Sequence, residues 1–488
     1  MNYKVVFSIL GKTMLIEAFL LVLPMLVGVI YQETNYLSFL IPIFALMLIG
    51  FPLSNIKSKD NALYAKEGFV IVALVWIVLS LFGCLPFVIS GTIPNFVDAF
   101  FETVSGFTTT GATILNTMQI EGMEKGIMFW RMFTHWIGGM GILVFVLAVI
   151  PANTAGVMHV FRSESPGPSV GKLATKLRFT ARILYGIYLV LTIIQIILLC
   201  ISGLNFFDSM LMSFSTAGTG GFGVLGSSAV TYSSSTQIIL AVFMFLFSLN
   251  FNIYYLLLIG NVRKAFAIEE IKAYTIMTIV SVVVIAVNIF TSLSNVYLTF
   301  GDAIKHSFFQ VTSIASTTGL SSTDFDKWPA LSKGILMLLT VVGACGGSTG
   351  GGLKVSRMLI LCKSASADFK KQIHSRAVIT PRLEGDPIDD ATIRNTRTFL
   401  VFWILVVVAS TLLLSLDPNI KANLFSNFSA TLACIGNVGP GFDFVGPMCN
   451  YAGYSDFSTI ILSLVMLIGR LEIFPMLILF IPRTWKKG

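Results

Sequence analysis

A chain of 488 residues that is 55% hydrophobic and 11% charged, with a mean hydropathy of +0.85, is too apolar to persist as an ordinary soluble globule. The net charge of +8 would suit a nucleic-acid binder, but 25 of the 32 Lys and Arg fall in six segments, 1–12, 57–66, 151–182, 261–272, 353–397 and 481–488, set between apolar runs. That segregation reads as membrane topology, with both termini in the cytoplasm, and removes nucleic acid as the reason for the charge.

A helix needs about 20 apolar residues to cross the hydrocarbon core. Ten runs approach that length, at approximately 13–30, 37–56, 68–90, 126–150, 183–202, 237–260, 274–297, 335–360 (interrupted), 398–416 and 457–481. Lys4 and Lys12 precede the first run as in a signal peptide, but the run is long and no small-residue cleavage site follows, so a retained span is expected. Cys84, Cys200, Cys345, Cys362, Cys434 and Cys449 stand singly, without zinc-ligand or disulfide spacing. The polar connection at 362–397 reads equally as a solvated linker and as a contact for a soluble partner.

Within this frame one loop recurs. Thr109-Thr110-Gly111 follows a short helical pattern and precedes another apolar run; Thr219-Gly220-Gly221, Thr317-Thr318-Gly319 and Asn437-Val438-Gly439 repeat it at spacings of 110, 98 and 120 residues. The predicted fold is therefore an all-α polytopic membrane protein. Two N-terminal spans (1–66) precede four pseudo-symmetric span–pore helix–span units, 67–182, 183–272, 273–396 and 397–488, around a central pore. Aligned on the glycines, Asp98, Asp208, His306 and Ser426 fall at one offset, where Asp and Ser would cap the short helices; Asp302, four residues before His306, leaves the third cap open.

Glycine close packing is the plain explanation of any single Thr-Thr-Gly, but four in register point to a shared role. Irregular backbone at membrane depth survives only against protein or a water-filled cavity. Glycine admits positive φ, so successive carbonyls can face one way and replace the hydration shell of a cation. Short helices that end at the loops direct their negative dipole ends to the same point. With little charge in the loops, carbonyls and threonine hydroxyls are the expected ligands, and Asp443 is placed in an outer vestibule.

The segment Asp98–Thr113, with Gly138-Gly139-Met140-Gly141 and Ser165-Pro166-Gly167-Pro168, closely resembles the TrkH/TrkG family of bacterial potassium-uptake proteins over essentially the whole chain. The two extra N-terminal spans match this family rather than the shorter KtrB proteins. The resemblance implies a homodimer in the inner membrane, a pore in each protomer, a cytosolic nucleotide-binding partner of the TrkA type, and potassium as the transported ion. In the wider superfamily, glycine at all four filter positions goes with potassium and serine in the first loop with sodium.

The eighth run is broken by Gly343–Gly352, six of whose ten residues are glycine. A phosphate-binding loop would end in Gly-Lys-Ser/Thr, whereas Gly352 is followed by Leu353-Lys354. The segment containing Gly346, Gly347, Ser348, Thr349, Gly350, Gly351 and Gly352 is instead expected to lie across the inner pore as a gate. The family resemblance supports that assignment. Arg470, deep in the tenth run, would cost about 2.5 to 3.5 kcal/mol if unpaired there. Glu472 is ill placed to pair with it, two residues along a helix, so a pore-facing arginine that impedes cations is expected. His135 and Arg131 share a helical face, open to proton coupling or to interhelical hydrogen bonding. Channel-like conduction and proton- or sodium-coupled symport both remain open, as does a less selective potassium/sodium permease; no nucleophile–base pair or metal cluster suggests an enzyme.

Overall fold

The computed structural model describes residues 1–57, 65–141, 177–374, 379–418 and 421–485; the Ser165–Pro168 motif and the end of the fourth apolar run, 142–150, lie outside them. Large apolar side chains such as Phe19, Leu48, Ile276 and Leu405 are exposed on helix surfaces, as expected where lipid is the solvent. The protein is a multi-pass membrane protein.

The N-terminal helices, Tyr3–Ile30 and Leu40–Ser54, meet through small residues: a Cβ on Gly11 would sit 2.7 Å from the Gly50 carbonyl. Glu33 in their turn accepts the amides of Lys125 and Gly126, so its carboxylate caps the helix Lys125–Gly139 of the first quarter.

Each quarter has an outer helix, a pore helix and an inner helix. The outer helices are Ala65–Gly83, Leu177–Ile201, Glu269–Ser292 and Asp390–Ser415. The pore helices are Phe96–Phe107, Phe206–Ala217, Phe300–Ala315 and Leu424–Ile435. The inner helices are Lys125–Gly139, Ser234–Phe247, Ala330–Val342 and Asp456–Arg470.

Among the described residues six helices are long and apolar enough to span a bilayer, the two N-terminal ones and the four outer ones. The runs at 237–260 and 457–481, expected to be continuous, are broken. Ser234–Phe247 turns by 91° into Asn252–Leu258. Asp456–Arg470 ends where Glu472 and Ile473 take positive φ, and Phe474–Leu479 follows. Arg470 is therefore the last residue of a helix rather than the middle of one. A hydropathy window averages over these breaks because the interrupting residues, such as Leu249 and Leu471, are themselves apolar.

The expected caps shift as well. Asn95, Asn205, Thr299 and Asn423 accept backbone amides at the four pore-helix starts, three residues before Asp98, Asp208, Asp302 and Ser426. Asp98, Asp208 and Ser426 occupy the first turn instead, where the acids favour the helix dipole. The third pore helix is 16 residues long against 12 in the others, one added turn that explains why His306 falls out of pattern.

Candidate ion pathway

All four pore helices end in the same backbone figure. Thr109, Thr219, Thr317 and Asn437 have φ between 52° and 61°, and Gly111, Gly221, Gly319 and Gly439 have φ between 75° and 93°, with a negative-φ residue between. The amide before each glycine returns to the pore helix: Thr110 to Ser105 O at 2.9 Å, Gly220 to Ser215 O at 2.8 Å, Thr318 to Ser313 O at 2.8 Å and Val438 to Ala433 O at 2.9 Å. These bonds satisfy carbonyls that a helix C-terminus otherwise leaves orphaned, and they fix the loop direction.

The loops close into a ring. A Cβ on Gly111 would collide with the Gly220 carbonyl, on Gly221 with Thr318 O, on Gly319 with Val438 O, and on Gly439 it would lie 2.5 Å from Thr110 O. Each glycine thus faces the next loop's backbone, and the fourth faces the first. A cavity of about 170 Å³ opens directly on this ring, lined by all four glycines together with Asn116, Arg131 and Tyr451. Asp443 does not line it. Its carboxylate takes Asn423 Nδ2 at 2.8 Å and Ser426 Oγ at 2.5 Å, tying the fourth loop to its pore helix.

The hydroxyls are used unequally. Thr110 pairs with Thr108 and Thr318 with Ser316, both at 2.7 Å, whereas Thr109 Oγ1 and Asn437 Oδ1 are buried without a protein partner among the described residues. The fourth loop also departs from symmetry: Asn437 Nδ2 donates to Thr110 Oγ1 at 3.0 Å, and Tyr451 Oη donates to Gly439 O at 2.7 Å.

Behind the first two loops lies a polar support that sequence reasoning saw only in part. Arg131 Nε meets Glu102 Oε1 at 2.8 Å with both side chains buried, Nη1 donates to Gly223 O at 3.1 Å, and the guanidinium covers Phe222 at 3.7 Å. Glu102 also accepts from Thr113 Oγ1 at 2.9 Å and the Ile114 amide at 3.1 Å. His135 Nδ1 donates to Gly106 O at 2.8 Å while Nε2 accepts from the Phe222 amide at 3.3 Å. Both ring nitrogens are occupied by backbone of neighbouring segments, as interhelical support requires.

Below the ring lies the loop at 343–354. Gly351 N donates to Thr317 Oγ1 at 2.6 Å, and a Cβ on Gly351 would lie 2.9 Å from that of Asn437, so the loop touches the first residues of the third and fourth ring loops. Gly346 N donates to Glu270 at 2.7 Å, Gly347 O accepts from Phe251 N at 3.1 Å, Ser348 Oγ from within the loop reaches Cys345 O at 2.6 Å, and Thr349 Oγ1 reaches Phe247 O at 3.2 Å. Lys354 Nζ donates to Gly350 O, and Gly352 packs on Gly343 with φ of 79°. Arg470 Nη1 donates to Thr349 O at 2.9 Å, and its Nη2 to Gly138 O at 2.6 Å and Gly139 O at 3.0 Å, linking the loop to the first inner helix. Glu472 pairs with Arg357. Lys354 and Arg357, which the charge count assigns to an aqueous connection, are 2% and 9% exposed and belong to the loop's support. Glu270 does not stand out in the sequence, because the amides that it accepts, of Gly346 and Ser356, lie 76 and 86 residues away.

Residues 38–487 match the family model TrkH, described as a cation transport protein. The chain belongs to the TrkH family. It is 33% identical over 494 residues to the Trk system potassium uptake protein TrkH of Escherichia coli, with both chains covered in full. It is 29% identical over 467 residues to the Trk system potassium uptake protein TrkG of the same species, covering 95% of this chain and 94% of the relative. The crystal structure of the potassium transporter TrkH from Vibrio parahaemolyticus superposes with a TM-score of 0.89 at 30% identity, covering all of both chains.

Proposed function

We propose that this TrkH-family protein takes up potassium across the bacterial inner membrane through a channel-like pore, with both termini in the cytoplasm. The closed ring of four glycine-against-carbonyl contacts carries the reading. Alternating φ signs at residues 109–111, 219–221, 317–319 and 437–439 allow consecutive carbonyls to face one axis, and the four pore helices end at these loops with the partial negative charge of their C-termini. Buried, unpartnered Thr109 Oγ1 and Asn437 Oδ1 at the base suit a desolvating cation.

The loop from Gly346 to Gly352 acts as the gate beneath this filter, and Arg470 places positive charge at the same level, raising the barrier to cations until the loop moves. A homodimer working with a cytosolic nucleotide-binding subunit of the TrkA type completes the system. The potassium and transporter names of the relatives support the cargo, and every quarter's outer-to-inner order running the same way supports conduction over alternating access.

The test is flux from liposomes holding purified protein, potassium against sodium, with and without a proton gradient. Potassium flux that exceeds sodium flux and ignores the gradient is expected. Flux that requires the gradient would establish coupled symport instead.

A further inference from the structure

Glu269 and Glu270 are consecutive residues in the first turn of the third outer helix, and they hold different things. Glu270, 6% exposed, accepts the amides of Gly346 at 2.7 Å and Ser356 at 2.9 Å on one oxygen, and Asn250 Nδ2 at 3.4 Å on the other. One carboxylate therefore closes both ends of the intramembrane loop. Ser356 lies in the first turn of Val355–Ile373, where a carboxylate also meets the positive end of that helix. Val355 N to Ala344 O at 3.1 Å and Lys354 N to Val342 O at 3.0 Å complete a fixed base beneath the glycine-rich tip.

Glu269 faces the other way, about 100° around the helix. Its carboxylate pairs with Lys363 and accepts the Glu384 amide at 3.2 Å, while Lys363 also donates to Arg382 O at 2.8 Å. Arg382 and Glu384 belong to a small antiparallel hairpin, in which Arg382–Leu383 pairs with Asp386–Pro387, within the polar connection between the third and fourth quarters. The same helical turn thus grips a polar surface hairpin and the pore loop.

We propose that Glu269 and Glu270 are positioning residues that couple this hairpin to the gate: the docked hairpin keeps the loop across the pore, and a soluble partner that lifts the hairpin loosens Gly346 and Ser356. The inference rests on the gating role of the loop given above. The docking is finely balanced in charge. Partial burial, then the neighbouring carboxylates of Glu270, Glu269 and Asp386, hold the Glu384 carboxyl above its ordinary range, with Lys363 opposing them.

The experiment measures passive potassium flux from liposomes holding the full chain without any partner. Glu270→Gln and Glu269→Lys should each raise flux by about 2- to 30-fold, with the potassium/sodium ratio unchanged. The pair Glu269→Lys with Lys363→Glu should return flux toward the starting value, and Glu269→Lys added to Glu270→Gln should add nothing. Glu384→Gln, which keeps the backbone amide that Glu269 accepts, should leave both flux and thermal unfolding at the values of the unaltered protein, and a rise in flux there would count against the coupling. Unchanged flux in Glu269→Lys, failure of the charge swap, or multiplying effects in the double variant would overturn the coupling. Arg470→Gln run alongside separates the two ideas. If it raises flux while Glu269→Lys does not, only the coupling fails; if neither does, the gating role falls and the coupling with it.

Discussion

The ring of four loops and the loop at 343–354 are both irregular, glycine-bearing backbone, yet they are held by opposite means. In the ring each turn is fixed by amides returning to its own pore helix and by the carbonyl of the next loop. Side chains enter mainly as backing, in Arg131, Glu102 and His135. The loop at 343–354 draws on elements of the second, third and fourth quarters: Phe247 and Phe251, Glu270 and Thr317, and Arg470. Geometry repeated in backbone leaves little freedom, which suits recognition of one ion size. Attachment by a few polar groups can be broken and remade, which suits a moving part.

Substitutions should separate the two regions. The largest effect is expected for Gly221→Ala, because φ of 88° is costly for alanine and its Cβ would enter the Thr318 carbonyl. Potassium flux should fall to that of empty liposomes, and retained selective flux would remove the ring from the mechanism. Arg131→Met strands Glu102, and leaving one partner of a buried pair uncompensated costs about 3 to 5 kcal/mol. Thermal unfolding in detergent should shift sharply downward, with residual flux less selective. Arg470→Gln releases the loop from the first inner helix, since the guanidinium bridges Thr349 O to Gly138 O and Gly139 O: flux should rise severalfold with the potassium/sodium ratio intact, and a changed ratio would show that the arginine shapes the filter. Asn95→Ala is the mildest, removing one helix cap for about 1 kcal/mol. It should lower the melting temperature slightly without altering flux, since the cap lies at the end of the pore helix remote from both regions.

The parts legible from the residues are those where backbone conformation dictates residue type. Positive φ together with a neighbouring carbonyl where a Cβ would sit leaves room only for glycine, so Gly111, Gly221, Gly319 and Gly439 announce the ring, and the run of glycines at 343–352 announces the break. Capping was legible in kind but misplaced by one turn's worth of residues, because Asp98 and Asp208 are good first-turn acids as well as good caps, and the asparagines three before them do the capping. The kink after Phe247 and the end of the helix at Arg470 were hidden by apolar residues that read the same straight or bent. Glu270 was hidden for a different reason: it binds amides 76 and 86 residues away, and a backbone amide has no letter of its own.

The ring of loops also sets an order of events during synthesis. Gly439 must meet Thr110 before the circle is complete, so no part of the chain emerging before the last quarter can possess a closed ring. Three inserted quarters present a circle with one side open, its carbonyls lacking the neighbour that aligns them. Insertion of the final pore helix is then the step at which the ring first closes.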